Sequence, residues 1–422
     1  MPSSGPTAVA GTSATWSFPT SDEFIEEIAV GSRGDIATAG STRDEKTGAV
    51  SMVVSERSEN GVVRWSHHFH GVSGGGWTPC AREEPSLAIG PDGEVVVAAG
   101  FDGELDFGDP PLVSPGPRAR SHRVVVAKFD REGKLVLRRE FGDKNDTELS
   151  GLAVGPDGAI ALTGCFTNSL TVGNKTLRES SAGALYLIKL TTAGEIAWAK
   201  QLGEGFKPSV VAISQDGVVF VGADVETVNF GFGPIFGPFA ARFQADGTLL
   251  RDRTPAGEQP ERQFFSEGNA AEKELVALVR TQPLAARPHI RRPTWDIDGA
   301  GRVVSLDRGK VALTESDGRE AWSLDAQADF VAFSADGSVI ISGFLGNYGS
   351  TMRASNDGRG FIAKLTPDGT WGACAGTKRC VEDGQCTAVN GKCIAATSSD
   401  CGTSDACTKS QRCRAHAGIC VP

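Results

Sequence analysis

Ser86-Leu-Ala-Ile-Gly-Pro-Asp-Gly93-Glu-Val-Val-Val-Ala-Ala-Gly100 returns as Gly151-Leu-Ala-Val-Gly-Pro-Asp-Gly158-Ala-Ile-Ala-Leu-Thr-Gly164. Each copy reads as a short apolar strand, a tight turn and a second apolar strand. Asp-Gly closes the turn because Gly adopts positive φ without strain. The β-branched runs on either side suit a buried sheet. Weaker copies are Ile28-Ala-Val-Gly-Ser-Arg-Gly34, Val211-Ala-Ile-Ser-Gln-Asp-Gly217, Trp295-Asp-Ile-Asp-Gly-Ala-Gly301 and Val331-Ala-Phe-Ser-Ala-Asp-Gly337.

A second phrase follows each first. Its clearest copies are Ala127-Lys-Phe-Asp-Arg-Glu-Gly133, Ile188-Lys-Leu-Thr-Thr-Ala-Gly194, Ala241-Arg-Phe-Gln-Ala-Asp-Gly247 and Ala363-Lys-Leu-Thr-Pro-Asp-Gly369, with divergent copies ending at Gly61 and Gly318. Trp65, Trp198 and Trp322 each stand four residues after such a Gly. Two hairpin turns per unit give four strands, the content of one propeller blade.

Spacing sets the number of blades. The first-phrase glycines are separated by 59, 65, 59, 84 and 36 residues. The last two steps together span two ordinary repeats, so the fifth unit is displaced by an insertion before it and shortened after it. The expected fold is therefore all-β: a β-propeller of about six four-stranded blades over 15–373. Residues 1–14 form a flexible N-terminal segment, and 374–422 a small disulfide-rich module. A seventh, degenerate blade within 254–292 is the alternative. The last repeat stops just after Trp371 and lacks a fourth strand. Ala14-Thr-Trp-Ser-Phe18 resembles the strand that ends a repeat, as in Trp65-Ser-His-His-Phe69, and is expected to close the ring from the other end of the chain.

Bulk composition narrows the function classes. The chain of 422 residues carries a formal charge of −10. From Cys374 onward six Lys/Arg face four Asp/Glu, so the acidity lies in the propeller. An acidic body repels phosphate backbones, which argues against nucleic acid as a partner. Apolar runs such as Val124–Ala127 are too short to span a bilayer. The opening MPSSGPTAVAGTSATW has neither a basic n-region nor an apolar h-region.

The phrases "AVGPDGAIALTG", "ELDFGDPPL" and "VVVAKFDREGKLVLRREFG" resemble the SBBP-type propeller repeats of bacterial, especially myxobacterial, surface and secreted proteins. The resemblance covers most of 15–373 and is strongest over 85–203. It implies a propeller in an extracytoplasmic setting, and it implies no catalytic activity, since the family has no common catalytic motif.

Eight of the ten cysteines lie in the last 49 residues. Cys374, Cys380, Cys386 and Cys393 are followed by Cys401, Cys407, Cys413 and Cys420, and both quartets read C-x5-C-x5-C-x6-C at an offset of 27. So short a segment buries little apolar surface and needs covalent or metal staples. Zinc sites usually use C-x2–4-C knuckles, absent here, so disulfides are expected. The pairing stays open. Disulfides imply an oxidising compartment, hence a secreted, periplasmic or outer-surface protein whose export signal is missing from this chain. The tail resembles cysteine-rich tandem modules at the ends of myxobacterial proteins.

Candidate sites elsewhere are each matched by a plainer reading. Cys80 and Cys165 lie in the propeller, where a small buried hydrophobe is favoured over a bridge. His68 and His70 share a strand face with metal-binding spacing but lack an acidic or cysteine neighbour, so ordinary surface histidines are expected. Trp295-Asp296-Ile-Asp298-Gly299 resembles part of a calcium loop but lacks the third oxygen ligand and the distal Glu, so a blade turn is expected. The Gly-then-Trp spacing also resembles PQQ-type propeller repeats, in which the Trp packs between blades. No adjacent Cys-Cys pair accompanies it, and no cofactor is expected. Ser316-Asp317-Gly318-Arg-Glu-Ala-Trp322 resembles a sialidase-type Asp box with its Gly one residue early. Pro110–Pro117 reads as a long inter-strand loop. The insertion 254–292, with its basic Arg287-Pro-His-Ile-Arg-Arg292, reads as a surface excursion able to carry binding.

The leading expectation is a non-enzymatic secreted or cell-surface binding or scaffold protein, with a protein or glycan partner at the envelope or outside the cell. The alternatives are a propeller lyase or glycosidase with a site in the central channel, and a structural component of an extracellular assembly.

Overall fold

In the computed structural model the first-phrase turn glycines Gly34, Gly93, Gly158, Gly217, Gly301 and Gly337 have φ between 76° and 85°. The second-phrase glycines Gly61, Gly133, Gly194, Gly247 and Gly318 lie between 79° and 88°. The structure describes most of residues 17–365; the larger segments outside the description are 71–84, 114–121, 251–289 and 346–358. Beyond 365 it describes four short strands and two isolated residues, 407 and 409.

Strand β1 (Ser17–Thr20) precedes six blades. Blade 1 comprises β2 (Phe24–Val30), β3 (Ile36–Arg43), β4 (Val50–Arg57) and β5 (Val63–His70). Blade 2 begins with β6 (Ser86–Ile89) and β7 (Val95–Phe101). A small hairpin, β8 (Glu104–Leu105) and β9 (Leu112–Val113), then leads to β10 (Arg123–Phe129) and β11 (Leu135–Phe141). Blade 3 repeats this plan with β12 (Thr147–Val154), β13 (Ile160–Phe166), the hairpin β14 (Ser169–Val172) and β15 (Lys175–Arg178), then β16 (Ala184–Leu190) and β17 (Ile196–Glu204). Blade 4 has β18 (Val210–Ile213), β19 (Val219–Asn229) and β20 (Pro234–Phe243). Its fourth strand shrinks to a bridge between Phe243 and Leu249. Blade 5 holds β21 (Ile290–Arg292), β22 (Trp295–Ile297), β23 (Val303–Asp307), β24 (Lys310–Thr314) and β25 (Glu320–Asp325). Blade 6 holds β26 (Phe330–Phe333), β27 (Val339–Leu345) and β28 (Arg359–Leu365).

Every pairing within a blade is antiparallel, and first strands of neighbouring blades pack against each other around the ring axis: β2 on β6, β6 on β12, β12 on β18, β22 on β26 and β26 on β2. Alternation along the strands then faces side chains toward the two flanking blades. Val95, Val97 and Ala99 join blade 1 in one apolar cluster, and Val96 and Ala98 join blade 3 in another. The same arrangement gives six clusters, one at each blade junction, the last joining Ile25, Ile28 and Ile36 to Phe330, Ile340 and Ile362. Burial of such residues at ~25 cal/mol per Å² of apolar surface is the main force closing the ring.

Two repeated contacts reinforce those junctions. At three junctions the side chain four residues after a second-phrase Gly lies on the matching Gly of the next blade: Trp65 on Gly133, Leu137 on Gly194 and Trp198 on Gly247. The two indoles also donate across the gap, from Trp65 Nε1 to the Arg131 carbonyl (3.2 Å) and from Trp198 Nε1 to the Ala245 carbonyl (2.9 Å). The Lys of the second phrase does related work: Lys128 Nζ donates to the Thr192 carbonyl at 2.8 Å, and Lys189 Nζ to the Gly217 carbonyl at 3.0 Å.

β1 supplies the fourth strand of blade 6. It pairs with β28 from Ser17↔Ala363 to Thr20↔Gly360, so Ser17 and Phe18 of the expected Ala14–Phe18 segment take part, while Ala14–Trp16 lie outside the described residues. Blade 5 is the irregular one, with strands of three to six residues. Most of the insertion, including the segment considered for a seventh blade, lies outside the described residues. Its end departs from the expected surface excursion, because β21 pairs with β22 and becomes a fifth strand on the axial edge of blade 5.

In the tail, β29 (Thr387–Val389) pairs with β30 (Lys392–Ile394), and β31 (Arg414–His416) with β32 (Ile419–Val421). The two hairpins share the 27-residue offset of the cysteine quartets. Among the described residues no helix is long and apolar enough to cross a membrane.

Candidate functional site

The six first strands start at one face of the ring, called the upper face here. Antiparallel pairing brings the links between second and third strands to that same face. It therefore carries the β8–β9 and β14–β15 hairpins and the β19–β20 connection. Val113 (61% exposed) and Phe236 (69%) stand out from these hairpins into solvent. The basic strand β21, with Arg291 and Arg292, extends the inner edge of blade 5.

Blade 3 places an unusual group at this face. Its first strand carries a bulge between Leu149 and Gly151, and above the bulge Glu148 stands opposite Cys165 of β13. Residues paired across two strands share a face, so the Glu148 carboxyl and the Cys165 sulfur come together. Glu148 Oε2 lies 3.7 Å from Cys165 Sγ, and the two residues are 4% and 1% exposed. The Tyr186 hydroxyl donates to the Glu148 carbonyl at 2.9 Å. Gly164 is required beside them, since a Cβ there would stand 1.9 Å from that carbonyl oxygen and 2.7 Å from the tyrosine oxygen.

Asp146 flanks the group. Its Oδ1 lies 3.4 Å from His122 Nδ1 and accepts from the His122 backbone N–H at 3.3 Å. Burial, aided by the Asp146 charge, pushes the Glu148 carboxyl up to about 7. Burial likewise raises the Tyr186 hydroxyl, with Glu148 adding to the effect. A carboxyl that titrates near neutrality can hold or release a proton under ordinary conditions.

Glu148 does not stand out when repeats are aligned by turns. The signal was a charged residue within Thr147-Glu-Leu-Ser-Gly151, ahead of a strand otherwise built for burial. Cys165 is buried in the apolar junction between blades 3 and 4. Cys80 lies outside the described residues.

The remaining candidates resolve as follows. Cys407 is one of two isolated described residues of the tail. Cys393 and Cys420 sit on β30 and β32. Cys374, Cys380, Cys386, Cys401 and Cys413 lie outside the described residues. His68 and His70 point to one side of β5 and are exposed, with His70 Nδ1 2.7 Å from Ser51 Oγ. His67 turns the other way, stacks on Phe129 and contacts the Gly133 carbonyl at 2.6 Å.

Asp298 closes the blade 5 turn, accepting from the backbone of Ala300 (3.0 Å) and Arg302 (2.9 Å) and from Arg302 Nε (2.8 Å). Asp296 is fully buried and accepts from the Phe333 N–H at 2.7 Å, tying blade 5 to blade 6. Both aspartates of the calcium-like segment thus have architectural partners. Asp317 caps its turn in the same way, through the Arg319 N–H at 2.9 Å. Among the described residues no group of three or more His, Cys, Asp or Glu converges for a metal. The proline-rich loop after Pro110 is only partly described, with the Pro110 carbonyl accepting from Arg138 at 2.7 Å.

No protein-family model matches the chain, and no curated protein matches it. Solved structures that it resembles include a gluconolactonase from Xanthomonas campestris, at 15% identity over 83% of this chain and 89% of that one, with a TM-score of 0.34. A luciferin-regenerating enzyme shows 10% identity over 83% and 95% of the two chains, with a TM-score of 0.37. The β-propeller domain of the Trilobed protease from Pyrococcus furiosus shows 11% identity over 77% and 90%, with a TM-score of 0.34.

Proposed function

We propose that this six-bladed propeller is a non-enzymatic binding or scaffold protein that works outside the cytoplasm. It would hold a protein or glycan partner of the cell envelope or the medium at its upper face. The observation that carries this reading is β21: the insertion returns to the ring axis and adds a strand bearing Arg291 and Arg292 to blade 5. A rigid ring with elaborated loops at one face is a common platform for recognition. The reading of the cysteine-rich tail as disulfide-stapled supports an oxidising compartment.

The test is a glycan array and an envelope-protein overlay at micromolar concentration, comparing wild type with an Arg291→Ser/Arg292→Ser double variant. Wild type should bind a defined glycan or protein, and the double variant should bind it at least about tenfold more weakly, roughly 1.4 kcal/mol. Absence of binding by wild type, or equal binding by both, would contradict the proposal.

One observation favours a second reading, a channel enzyme of lyase or glycosidase type. Glu148 has a proton to give near neutral pH and has Asp146 and His122 beside it. Turnover of a polysaccharide by wild type that Glu148→Gln abolishes would establish it over the binding reading.

A further inference from the structure

We propose that Arg33, Arg64 and Arg131 form a binding site for a single oxyanion group (a carboxylate, sulfate or phosphate) at the junction of blades 1 and 2. The site lies on the lower face, opposite the hairpins, where the first-phrase and second-phrase turns gather. It is separate from the upper-face site, so its failure would leave the binding reading of that face untouched.

Each of these arginines breaks the repeat. Where Arg33 precedes its turn glycine, the other first phrases carry Asp92, Asp157, Asp216, Ala300 and Asp336. Arg131 stands two residues before Gly133, and Arg64 three residues after Gly61, and no other second phrase has an arginine at either place. Three departures from the repeat thus meet at one junction. A structural duty shared by all blades does not account for them.

Asp35 anchors the group. Its side chain is 5% exposed, and its Oδ1 accepts from Arg64 Nη1 at 2.7 Å. Arg64 also donates to the buried Glu56 carboxylate. Asp35 Oδ2 faces Arg131 Nη2 at 3.7 Å and Arg33 Nε at 3.9 Å, too far for hydrogen bonds. These two guanidiniums are 42% and 47% exposed, and their N–H groups are left to solvent or a ligand. Gly93 lets them converge. A Cβ there would stand 2.8 Å from Arg33 Nη2 and 3.2 Å from Arg131 Nε. Those nitrogens are therefore about 6 Å apart at most, a gap that one oxygen accepting at about 2.7–2.9 Å from each can fill.

Charge favours the same ligand. Three guanidiniums face two carboxylates, so the spot is positive on a chain of net charge −10. Acids on the adjoining turns have other contacts. Asp130 Oδ1 accepts from the Glu132 and Lys134 N–H groups, Glu94 Oε2 accepts from the Asp92 N–H, and the Glu59 side chain lies on Gly34. An oxyanion would balance the excess charge and meet planar donor forks suited to it. The acidity of the rest of the chain disfavours polyanions, which leaves one isolated anionic group as the fitting ligand.

The test titrates the full-length protein with sodium acetate, sulfate and phosphate in turn, with sodium chloride holding ionic strength constant. Side-chain Nε–Hε resonances of the arginines, followed by NMR, report binding. Arg33 and Arg131 should shift saturably with at least one of the three anions, with a Kd of about a millimolar or tighter. Which anions saturate identifies the group preferred. In Arg33→Lys/Arg131→Lys the charge remains but the forks are lost, and binding should weaken by about tenfold or more. If that double variant fails to fold, Arg33→Lys alone serves, since Arg33 is half exposed and reaches only Asp35. Shifts that grow linearly without saturation for all three anions, or equal affinity in the lysine variant, would overturn the proposal.

Discussion

Glu148 shows how one side chain can oppose the fold that surrounds it. Its carboxyl is raised to about 7, first by burial and then by Asp146, whereas in an unfolded chain it would titrate near 4.5. The folded state therefore holds the proton more tightly than the unfolded state. Stability from this group is complete below about pH 4.5 and is lost as pH rises through about 7. Glu148→Gln keeps the shape and cannot ionise. Thermal melts of the two proteins should nearly coincide at pH 4.5, and the variant should become the more stable by up to about 3 kcal/mol at pH 8. A stability difference that does not change with pH would show that the carboxyl is hydrated and unperturbed. The contrast with Asp296 is instructive. That carboxylate is equally buried but accepts the Phe333 N–H, so it serves as a tie between blades.

At the scale of elements, the recurring unit is a side chain from one blade seated on a glycine turn of the next. Trp198 covers Gly247, whose φ of +86° and lack of a Cβ leave the indole its place. Trp198→Ala should cost about 2–4 kcal/mol, less than a fully buried Trp would, because this indole is only partly buried. Urea unfolding measures it, and a loss below about 0.5 kcal/mol would mean that the contact is incidental. These elements were legible in the chain because their chemistry is local. Asp-Gly turns, alternating β-branched runs and Trp at a fixed distance identify themselves without tertiary context. The hairpins β8–β9 and β14–β15 were hidden, since strands of two to four residues carry too little periodicity to read. Glu148 and Cys165 were hidden for another reason: they are 17 residues apart, and only strand register across a bulge makes them neighbours. The placement of β21 also depended on pairing, because the composition of Arg287–Arg292 describes a basic loop equally well.

The whole molecule is a ring whose six apolar junctions hold it in tension-free closure only if the last blade is complete. Blade 6 draws three strands from the C-terminal side of the ring and one, β1, from the N-terminal side. Spacing of the turn glycines foretold both the six blades and the irregular fifth. Closure by the first strand followed from the missing fourth strand after Trp371, although the pairing register could not be read from sequence. Without β1 the edge of β28 is exposed and the two ends of the chain no longer bind each other. The most direct measurement is therefore thermal unfolding of the protein lacking residues 1–20, beside the full chain. Ring closure by β1 predicts a melting temperature lower by at least about 5 °C, given that ~1 kcal/mol moves a domain of this size by a few degrees at most. An unchanged melting temperature would contradict it.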